Sequence, residues 1–418
     1  MGCYIIEGGK RLEGETYVSG SKNASLPILA ASLLNGKETR LYNVPNIHDI
    51  QITLKILKLL GCKVSRNGGK IVINSKNMEN HQLPEDLMRQ MRSSVILAGA
   101  ILSRFKKAEF SYPGGCDIGS RPIDLHLEGF RKLGVTIEEE SGYIKCSYDK
   151  IVGAEIHLDF PSVGATENIM LASVFAEGKT VIKNAALEPE IVDLAEMLNK
   201  MGAKVSGHGT NTIVIEGVSQ LKEVSYRVMP DRIEAGTLLC AAAITGGKIC
   251  LTKAMPEHMT PILHKLEDSG CQIEVDKTTI FLEAPKRLKA VDIKTMPYPG
   301  FPTDMQSVFA SMLCTAKGTS VIIENIFENR YKYVSELKRM GAKIDIEGKM
   351  AIIKGVRRLS GANVNSTDLR GGAALVLAGL VAKGETKVSH INYILRGYEN
   401  IDEKLTDLGA KIILKEGE

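Results

Sequence analysis

The segment from Pro113 to His126 contains the residue types that best suit chemistry at a thiol. It reads Pro-Gly-Gly-Cys-Asp-Ile-Gly-Ser-Arg-Pro-Ile-Asp-Leu-His. Its glycines and prolines are too dense for the interior of a helix or strand, so we predict a loop over the whole segment. Cys116 lies there among glycine and charge, whereas an inert cysteine is usually a small buried hydrophobe. Arg121 would favour its thiolate and Asp117 its thiol, which makes Cys116 a candidate general acid or nucleophile.

The overall composition argues against several function classes. Lysine and arginine number 53 against 49 aspartates and glutamates, and this small positive balance does not indicate a nucleic-acid partner. The longest nearly continuous apolar run, 373–382, is about half of the roughly 20 residues that a membrane helix needs. The first residues have no apolar core of signal-peptide length, and the eight cysteines form no metal-like pattern. We expect a cytoplasmic protein with reduced thiols and with no metal, no cofactor, no membrane partner and no nucleic-acid partner.

An internal repeat organises the chain around these residues. A helical stretch that ends in a hydrophobic residue and glycine, followed by two strands, recurs six times, at Gly61, Gly134, Gly202, Gly270, Gly341 and Gly409. Successive glycines are 73, 68, 68, 71 and 68 residues apart. A glycine in this place predicts a left-handed helix cap, and six in phase predict a repeated unit.

A second, alanine-rich helix precedes a strand in every repeat. Its small apolar faces predict that these helices pack inside a domain with the strands outside, so each unit is β-α-β-α-β-β. The sixth unit lacks its last strand, and residues 4–12 resemble 351–359, which closes the fifth. We therefore predict that the amino-terminal strand completes the carboxyl-terminal domain. The domains would be 21–229, which carries the Cys116 loop, and 1–20 plus 230–418, which carries Asp304.

Polar residues stand just before or at the start of each alanine-rich helix. Lys22, Arg92, Arg232 and Arg370 are notable there, because a cation near a helix amino terminus is unfavourable unless an anion offsets it. Serine, threonine or aspartate at these places is explained equally well by ordinary helix capping. The chain has neither a P-loop nor a strand followed by GxGxxG. Any phosphate would therefore be bound by arginine, lysine and helix ends.

These segments together resemble the UDP-N-acetylglucosamine 1-carboxyvinyltransferases of the enolpyruvyl transferase family. The resemblance covers nearly the whole chain and rests on 21–24, 113–126, 162–166, 188–193, 230–232, 301–306, 327–330, 367–370 and 396–399. It implies an α/β protein of two inside-out α/β barrel domains, each of three βαβαββ repeats, joined by two crossing strands.

The implied reaction moves the enolpyruvyl group of phosphoenolpyruvate onto the 3-hydroxyl of UDP-N-acetylglucosamine and releases phosphate. It is the first committed step of peptidoglycan synthesis, so the resemblance also implies roles in cell-wall biogenesis, cell shape and cell division, and inactivation by fosfomycin. We expect a monomer. By resemblance Cys116 is the acid, Asp304 the base, and Lys22 and Arg396 complete the catalytic set. The implied substrate-binding residues are Lys22, Asn23, Arg92, Arg121, Pro122, Ile123, Asp124, Leu125, Ser162, Val163, Glu188, Arg232, Asp304, Ile326, Arg330, Asp368, Arg370 and Arg396.

Several positions depart from the family pattern, namely Tyr393, Leu395, Phe160-Pro161 and Asp117, and two alternative functions stay open. Tyr393 and Leu395 stand where many relatives have histidine and aspartate, which removes a carboxylate that would orient Arg396. The alternatives are a shikimate-pathway enolpyruvyl transferase, which lacks the cysteine loop, and a non-catalytic protein that binds UDP-sugars.

Overall fold

A computed structural model describes residues 2–114 and 123–415. Within these ranges the chain forms two compact units. We call residues 20–114 and 123–229 the amino-terminal unit, and residues 2–19 and 230–415 the carboxyl-terminal unit. The chain passes from one unit to the other after Ser19 and again after Met229.

Both units are mixtures of short helices and short strands. The strands in chain order are β1 (Cys3–Glu7), β2 (Glu13–Tyr17), β3 (Glu38–Tyr42), β4 (Lys63–Asn67), β5 (Lys70–Asn74), β6 (Lys107–Ser111), β7 (Thr136–Glu140), β8 (Tyr143–Ser147), β9 (Glu155–His157), β10 (Lys179–Lys183), β11 (Lys204–Ser206), β12 (Thr212–Glu216), β13 (Val224–Arg227), β14 (Lys248–Thr252), β15 (Gln272–Asp276), β16 (Thr279–Glu283), β17 (Ile293–Lys294), β18 (Thr319–Ile323), β19 (Lys343–Glu347), β20 (Met350–Lys354), β21 (Asn363–Asn365), β22 (Glu385–Ser389) and β23 (Lys411–Lys415). The α-helices are α1 (Lys22–Ala31), α2 (His48–Leu59), α3 (Glu85–Gln90), α4 (Leu97–Phe105), α5 (Asp124–Lys132), α6 (Val163–Ser173), α7 (Pro189–Lys200), α8 (Arg232–Ile244), α9 (Thr260–Asp268), α10 (Gln306–Leu313), α11 (Val334–Arg339), α12 (Leu369–Val381) and α13 (Ile401–Asp407). Short 3-10 helices span Arg92–Ile96, Pro256–His258, Thr303–Met305 and Ile391–Arg396.

Six small sheets repeat one strand arrangement, which confirms the predicted βαβαββ unit. In the sheet β9-β10-β12-β11, the first two strands are parallel and the other two pairs are antiparallel. The sheets β13-β3-β5-β4, β2-β14-β16-β15, β17-β18-β20-β19 and β21-β22-β1-β23 have the same order. In the remaining sheet, β6-β8-β7, the first strand is reduced to a bridge between Gln82 and Glu109.

The amino-terminal strand completes the sixth sheet, as the sequence predicts. β1 lies between β22 and β23 and is antiparallel to both, with Ile6 opposite Thr386 and Ile412. Tyr4 and Ile6 are fully buried, so this strand contributes to the core of the carboxyl-terminal unit.

The alanine-rich helices are the inner helices, and this prediction is also confirmed. Every residue of α8 and α10 is buried, as is every residue of α12 except Val381. The other helix of each repeat has one buried face, as in α7, and lies nearer the surface.

The six repeat glycines adopt the conformation for which glycine is needed. Gly61, Gly134, Gly202, Gly270, Gly341 and Gly409 have φ between +90° and +101°. Each follows the outer helix of its repeat, where a left-handed residue ends the helix and starts the next strand.

One loop boundary was predicted wrongly. The loop was expected to reach His126, but α5 begins at Asp124. The reason is local, because Pro122 is the last helix breaker of the segment and the residues after it can all be helical.

Candidate active site

Asp304 lies in the carboxyl-terminal unit, where two arginines hold its carboxylate. Nη2 of Arg330 donates to Oδ1 at 2.8 Å, while Nη2 and Nε of Arg370 donate to Oδ2 at 2.9 and 3.2 Å. The arginine side chains are only 4% and 3% exposed, and that of Asp304 is 28% exposed. Charge-assisted, partly bidentate bonds of this kind fix the plane of a carboxylate. One carboxylate is thus oriented by the protein and still reached by solvent.

The backbone at Asp304 differs from that at the starts of the other two inner helices of this unit, α8 and α12. The 3-10 helix Thr303–Met305 runs directly into α10, and neither of the two cap residues, Pro302 and Met305, makes a side-chain cap bond. By contrast, Asp231 caps α8 and Asp368 caps α12, each accepting two backbone N–H bonds through Oδ1. Helix capping therefore accounts for Asp231 and Asp368 but not for Asp304.

A buried glutamate supports the turn that carries Asp304. Glu324, which follows β18, accepts bonds from the hydroxyls of Thr295 and Thr303 at 2.9 and 3.0 Å. It also accepts the backbone N–H of Ile326 at 2.8 Å, so that group is already bonded within the protein. Glu324 therefore links the predicted contact residue Ile326 to the turn that carries Asp304.

Three other predicted residues of this unit also lie at helix ends. Arg232 is the first residue of α8, and its guanidinium carbon is 5.8 Å from the centre of the Tyr298 ring. Arg370 is the second residue of α12. Arg396 ends the 3-10 helix Ile391–Arg396 and is half-buried.

In the amino-terminal unit, Lys22 is the first residue of α1 and is held by an ion pair. Its Nζ is 2.9 Å from Oδ2 of Asp49 in the first turn of α2, and the Asp49 side chain is 1% exposed. The carboxylate offsets the unfavourable position of a cation at a helix amino terminus. Sequence reasoning missed Asp49, and its only signal was an acid within the apolar pattern of α2.

Other predicted residues of this unit lie at or beside helix starts. Ser162 caps α6 by accepting the N–H of Ala165 at 3.3 Å, and Val163 is the first residue of that helix. Arg92 opens the 3-10 helix before α4. Asn23 is the second residue of α1, and Glu188 is the cap residue before α7. At the start of α5, Ile123 is buried, Asp124 exposed and Leu125 half-buried.

His126, in the first turn of α5, is buried in a fixed orientation. Asn168 accepts the backbone N–H of Gly99 through Oδ1 at 2.7 Å and donates Nδ2 to the carbonyl of Val95 at 2.9 Å. The same Nδ2 lies 2.9 Å from Nδ1 of His126, so Nδ1 must accept and the proton must be on Nε2. Burial, and then the charge of Arg92, lower the pKa of His126 to about 4.

Three glutamates form a second buried group in this unit. Burial raises the pKa of Glu167 well above its usual range, and the charges of Glu190 and Glu188 raise it further. Glu167 and Glu190 are each 2% exposed. The predicted residue Glu188 therefore stands at the edge of a region that disfavours further negative charge.

Five of the described cysteines are buried, unlike the glycine-rich, charged surroundings predicted for Cys116. Burial raises the pKa of Cys62 to about 11 and that of Cys146 to about 12. Cys240, Cys271 and Cys314 are buried too, and burial raises the pKa of each. Such thiols are poor nucleophiles at neutral pH. Cys116, Arg121 and Pro122 lie outside the described residues.

A cavity of the amino-terminal unit lies at the opposite, carboxyl ends of the inner helices. It has a volume of about 520 Å³ and is lined by Asn35, Arg104, Lys106 and Glu177 among others. Arg104 donates to the carbonyl of Ser75, and Lys106 to that of Asp149. Cations at helix carboxyl ends are ordinary stabilising features, so this cavity does not match the predicted phosphate chamber.

Among residues 2–114 and 123–415, no group of three or more histidine, cysteine, aspartate or glutamate side chains could hold a metal ion. No helix in the same ranges is both long and apolar enough to cross a membrane.

Comparison of the sequence with known proteins shows the family of this chain. The family described as EPSP synthase (3-phosphoshikimate 1-carboxyvinyltransferase) matches residues 6–405. UDP-N-acetylglucosamine 1-carboxyvinyltransferase 2 of Caldanaerobacter subterraneus subsp. tengcongensis is 53% identical over 414 residues, covering 99% of both chains. The protein of the same name from Carboxydothermus hydrogenoformans is 51% identical with the same coverage. The chain belongs to the UDP-N-acetylglucosamine 1-carboxyvinyltransferases of the enolpyruvyl transferase family.

Solved structures confirm the fold of this enolpyruvyl transferase. The enolpyruvyl transferase NikO from Streptomyces tendae superimposes with a TM-score of 0.90 at 24% identity, covering 99% of this chain and 98% of NikO. EPSP synthase from Acinetobacter baumannii gives 0.76 at 19% identity, with full coverage of both chains. The predicted class of two inside-out α/β barrels is therefore correct.

Tyr393 and Leu395, which depart from the family pattern, differ in burial. Tyr393 is 38% exposed, whereas Leu395 packs against the core of the carboxyl-terminal unit. Leu395 therefore has a packing role, and it brings no carboxylate to Arg396.

Proposed function

We propose that this chain transfers the enolpyruvyl group of phosphoenolpyruvate to the 3-hydroxyl of UDP-N-acetylglucosamine and releases phosphate. The observation that carries the proposal is the full-length identity of 53% to a relative named for this activity. The protein would act as a cytoplasmic monomer in the first committed step of peptidoglycan synthesis, and so in cell-wall biogenesis, cell shape and cell division.

The proposed chemistry needs an acid and a base. The thiol of Cys116 would protonate the methylene carbon of phosphoenolpyruvate, which leaves an oxocarbenium-like centre at the adjacent carbon. The sugar hydroxyl oxygen would bond to that carbon while Asp304 takes the hydroxyl proton. The Cys116 thiolate would then take back a proton from the new methyl group while phosphate leaves, which restores the double bond. Cys116 could also bond to the substrate carbon as a covalent adduct.

The environment of Asp304 supports its role as the base. A general base must be ionised, oriented and accessible. Arg330 and Arg370 fix its carboxylate at 2.8 and 2.9 Å, and its side chain remains 28% exposed. We propose that the same two arginines, with Asp368 and Glu188, steer the reaction intermediate.

The remaining predicted residues would bind the substrates. Lys22, Arg121 and Arg396 would hold the phosphate and carboxylate of phosphoenolpyruvate, for which the arginine fork suits bidentate contacts. Arg232 would add a further substrate contact. The UDP-sugar would contact Asn23, Arg92, Ser162, Val163 and 121–125, and the carbonyl of Ile326 would be its contact beside Asp304.

Phosphate release with purified protein tests the proposal. We expect release only when phosphoenolpyruvate and UDP-N-acetylglucosamine are both present. Release with shikimate 3-phosphate in place of the UDP-sugar would instead support the shikimate-pathway alternative. Binding of UDP-N-acetylglucosamine without any release would support the non-catalytic alternative.

Fosfomycin labelling tests the assignment of the thiol. We expect one adduct by mass spectrometry, on Cys116, with loss of activity. Cys116→Ser should abolish the adduct. Cys250→Ser is the matched control, because Cys250 is the half-buried cysteine on β14 and its loss should leave labelling unchanged. Full labelling of Cys116→Ser would contradict the assignment.

A further inference from the structure

A buried tyrosine lies beside the arginine that holds Asp304. Tyr398 is 1% exposed and follows the 3-10 helix Ile391–Arg396. The guanidinium carbon of Arg370 is 5.1 Å from the centre of its ring, within the range of a cation–π contact. The flat face of the ring thus lies against the guanidinium group that donates twice to Oδ2 of Asp304.

The direction of the next hydrogen bond follows from counting hydrogens. Oγ1 of Thr237 donates to the carbonyl of Ile233 at 2.8 Å, one turn earlier in α8. A hydroxyl has one hydrogen, so Thr237 must accept from Oη of Tyr398, which lies 2.9 Å away. Burial raises the pKa of the Tyr398 hydroxyl, which therefore keeps the proton that it donates.

These contacts connect all three repeats of the carboxyl-terminal unit. Thr237 belongs to α8 in the first of these repeats, Asp304 to the start of α10 in the second, and Arg370 and Tyr398 to the third. The order is Ile233 carbonyl, Thr237, Tyr398, Arg370 and Asp304, and all five residues are within this unit.

We propose that Tyr398 and Thr237 are positioning residues for Asp304. Thr237 fixes the rotation of the Tyr398 ring, the ring backs the Arg370 guanidinium, and Arg370 then presents its fork to Oδ2 in the orientation that a base requires. The inference rests on the proposed role of Asp304. It assigns no contact with substrate to either Tyr398 or Thr237.

The surroundings of Arg370 support the inference, because Tyr398 and the charges of Asp304 and Asp231 act on its guanidinium group. Its Nε and Nη2 both donate to Oδ2 of Asp304, while its buried Nη1 has no acceptor in hydrogen-bonding geometry among the described residues. A buried guanidinium with an unused donor is sensitive to the shape of its surroundings. The ring that packs against it is therefore the element expected to limit its movement.

Three variants test the inference, with single-turnover phosphate release measured against pH. Thr237→Val removes the acceptor at nearly constant shape, Tyr398→Phe removes the hydroxyl, and Thr237→Ser keeps the acceptor. We expect the first two to lower the rate roughly two- to tenfold, the worth of one hydrogen bond, with KM for the UDP-sugar unchanged. Thr237→Ser should have the wild-type rate.

The pH profile distinguishes positioning from a purely structural role. When Arg370 moves away, the carboxylate of Asp304 loses part of a favourable charge contact, so the acidic limb of the rate profile should move to higher pH. Thr237→Val and Tyr398→Phe should show this shift, and Thr237→Ser should not. A lower melting temperature with wild-type rate and acidic limb would overturn the inference.

Asp304→Asn separates this inference from the proposed function. If Asp304→Asn keeps full activity, the proposed base is wrong whatever the other variants do. If Asp304→Asn is inactive while Thr237→Val and Tyr398→Phe have wild-type profiles, only the positioning inference fails. Should Tyr398→Phe not fold, the comparison of Thr237→Val with Thr237→Ser decides alone.

Discussion

We predict that His126 stays neutral well below the pH at which an ordinary histidine becomes charged. Its Nδ1 faces the Nδ2 hydrogens of Asn168 at 2.9 Å, and Asn168 cannot turn over because both its other partners are backbone groups. A second ring proton, on Nδ1, would therefore point at the N–H group of Asn168, which is itself a donor. Burial adds to this, and the pKa of His126 falls from 6.5 to about 4.

The consequence for stability follows from proton uptake by the unfolded chain. Unfolded His126 binds a proton near pH 6.5, while the folded residue does so only near 4. The stabilisation is thus complete above the unfolded pKa and is lost as the pH falls toward the folded pKa. Between pH 7 and pH 5 this residue should lower the free energy of unfolding by about 2 kcal/mol.

Comparison of wild type with His126→Gln isolates this contribution. Glutamine can still accept from Asn168 but does not titrate. Asp193, whose pKa burial raises to about 6, and other groups affect both proteins alike. The free energy of unfolding of wild type minus that of His126→Gln, both measured by urea unfolding, should therefore fall by about 2 kcal/mol from pH 7 to pH 5.

Nuclear magnetic resonance gives the decisive readout. With histidine labelled at the ring carbons, the His126 signal should stay at its neutral, Nε2-protonated position from pH 8 to pH 5.5. A titration midpoint above pH 6 would refute both the tautomer and the assignment of Asn168 from which it was deduced.

Three further predictions concern stability. Asp304→Ala leaves Arg330 and Arg370 buried without their carboxylate, so the free energy of unfolding should fall by about 3 kcal/mol. Sulfate should raise the melting temperature of this variant more than that of wild type, and equal effects would contradict the charge argument. Ile6→Ala should lower the free energy of unfolding in urea by about 2–5 kcal/mol. Ile413→Ala should lower it little, because Ile413 in the adjacent strand is 61% exposed. Similar losses in the two variants would count against the central position of β1. Glu167→Gln should raise the melting temperature at pH 8 but not at pH 4, because at pH 8 folding must either bury an ionised carboxylate or bind a proton that the unfolded chain lacks. No gain at pH 8 would contradict the raised pKa of Glu167.

The repeat could be predicted from the sequence because it depends on local chemistry. Gly61 and its five equivalents occupy positive-φ positions, which few other residues tolerate, so their spacing reveals the period of the fold. The similarity of residues 4–12 to 351–359 likewise identified β1 as the missing strand, because a strand buried on one face needs a matching apolar pattern.

The partners of the polar residues could not be predicted, because they are distant in sequence. Asp49 pairs with Lys22 across 27 positions, and Arg370 reaches Asp304 across 66. We expected a cation at a helix start to indicate a bound anion, but in these two cases the chain supplies a carboxylate itself. Any anionic substrate at Lys22 or Arg370 would have to compete with that carboxylate or act together with it.

The three aspartates at the inner helix starts of the carboxyl-terminal unit show how one scaffold position acquires different roles. Asp231 and Asp368 each direct Oδ1 to two backbone N–H groups, which uses the carboxylate to begin a helix. In the second repeat a 3-10 turn precedes α10, and Asp304 is inside that turn, so its oxygens receive bonds from arginine side chains instead. A carboxylate that caps a helix loses its bonds to the first N–H groups when it moves, which destabilises the helix start, whereas one held by side chains can exchange partners. The repeat that departs from ordinary capping is thus the one that carries the proposed base.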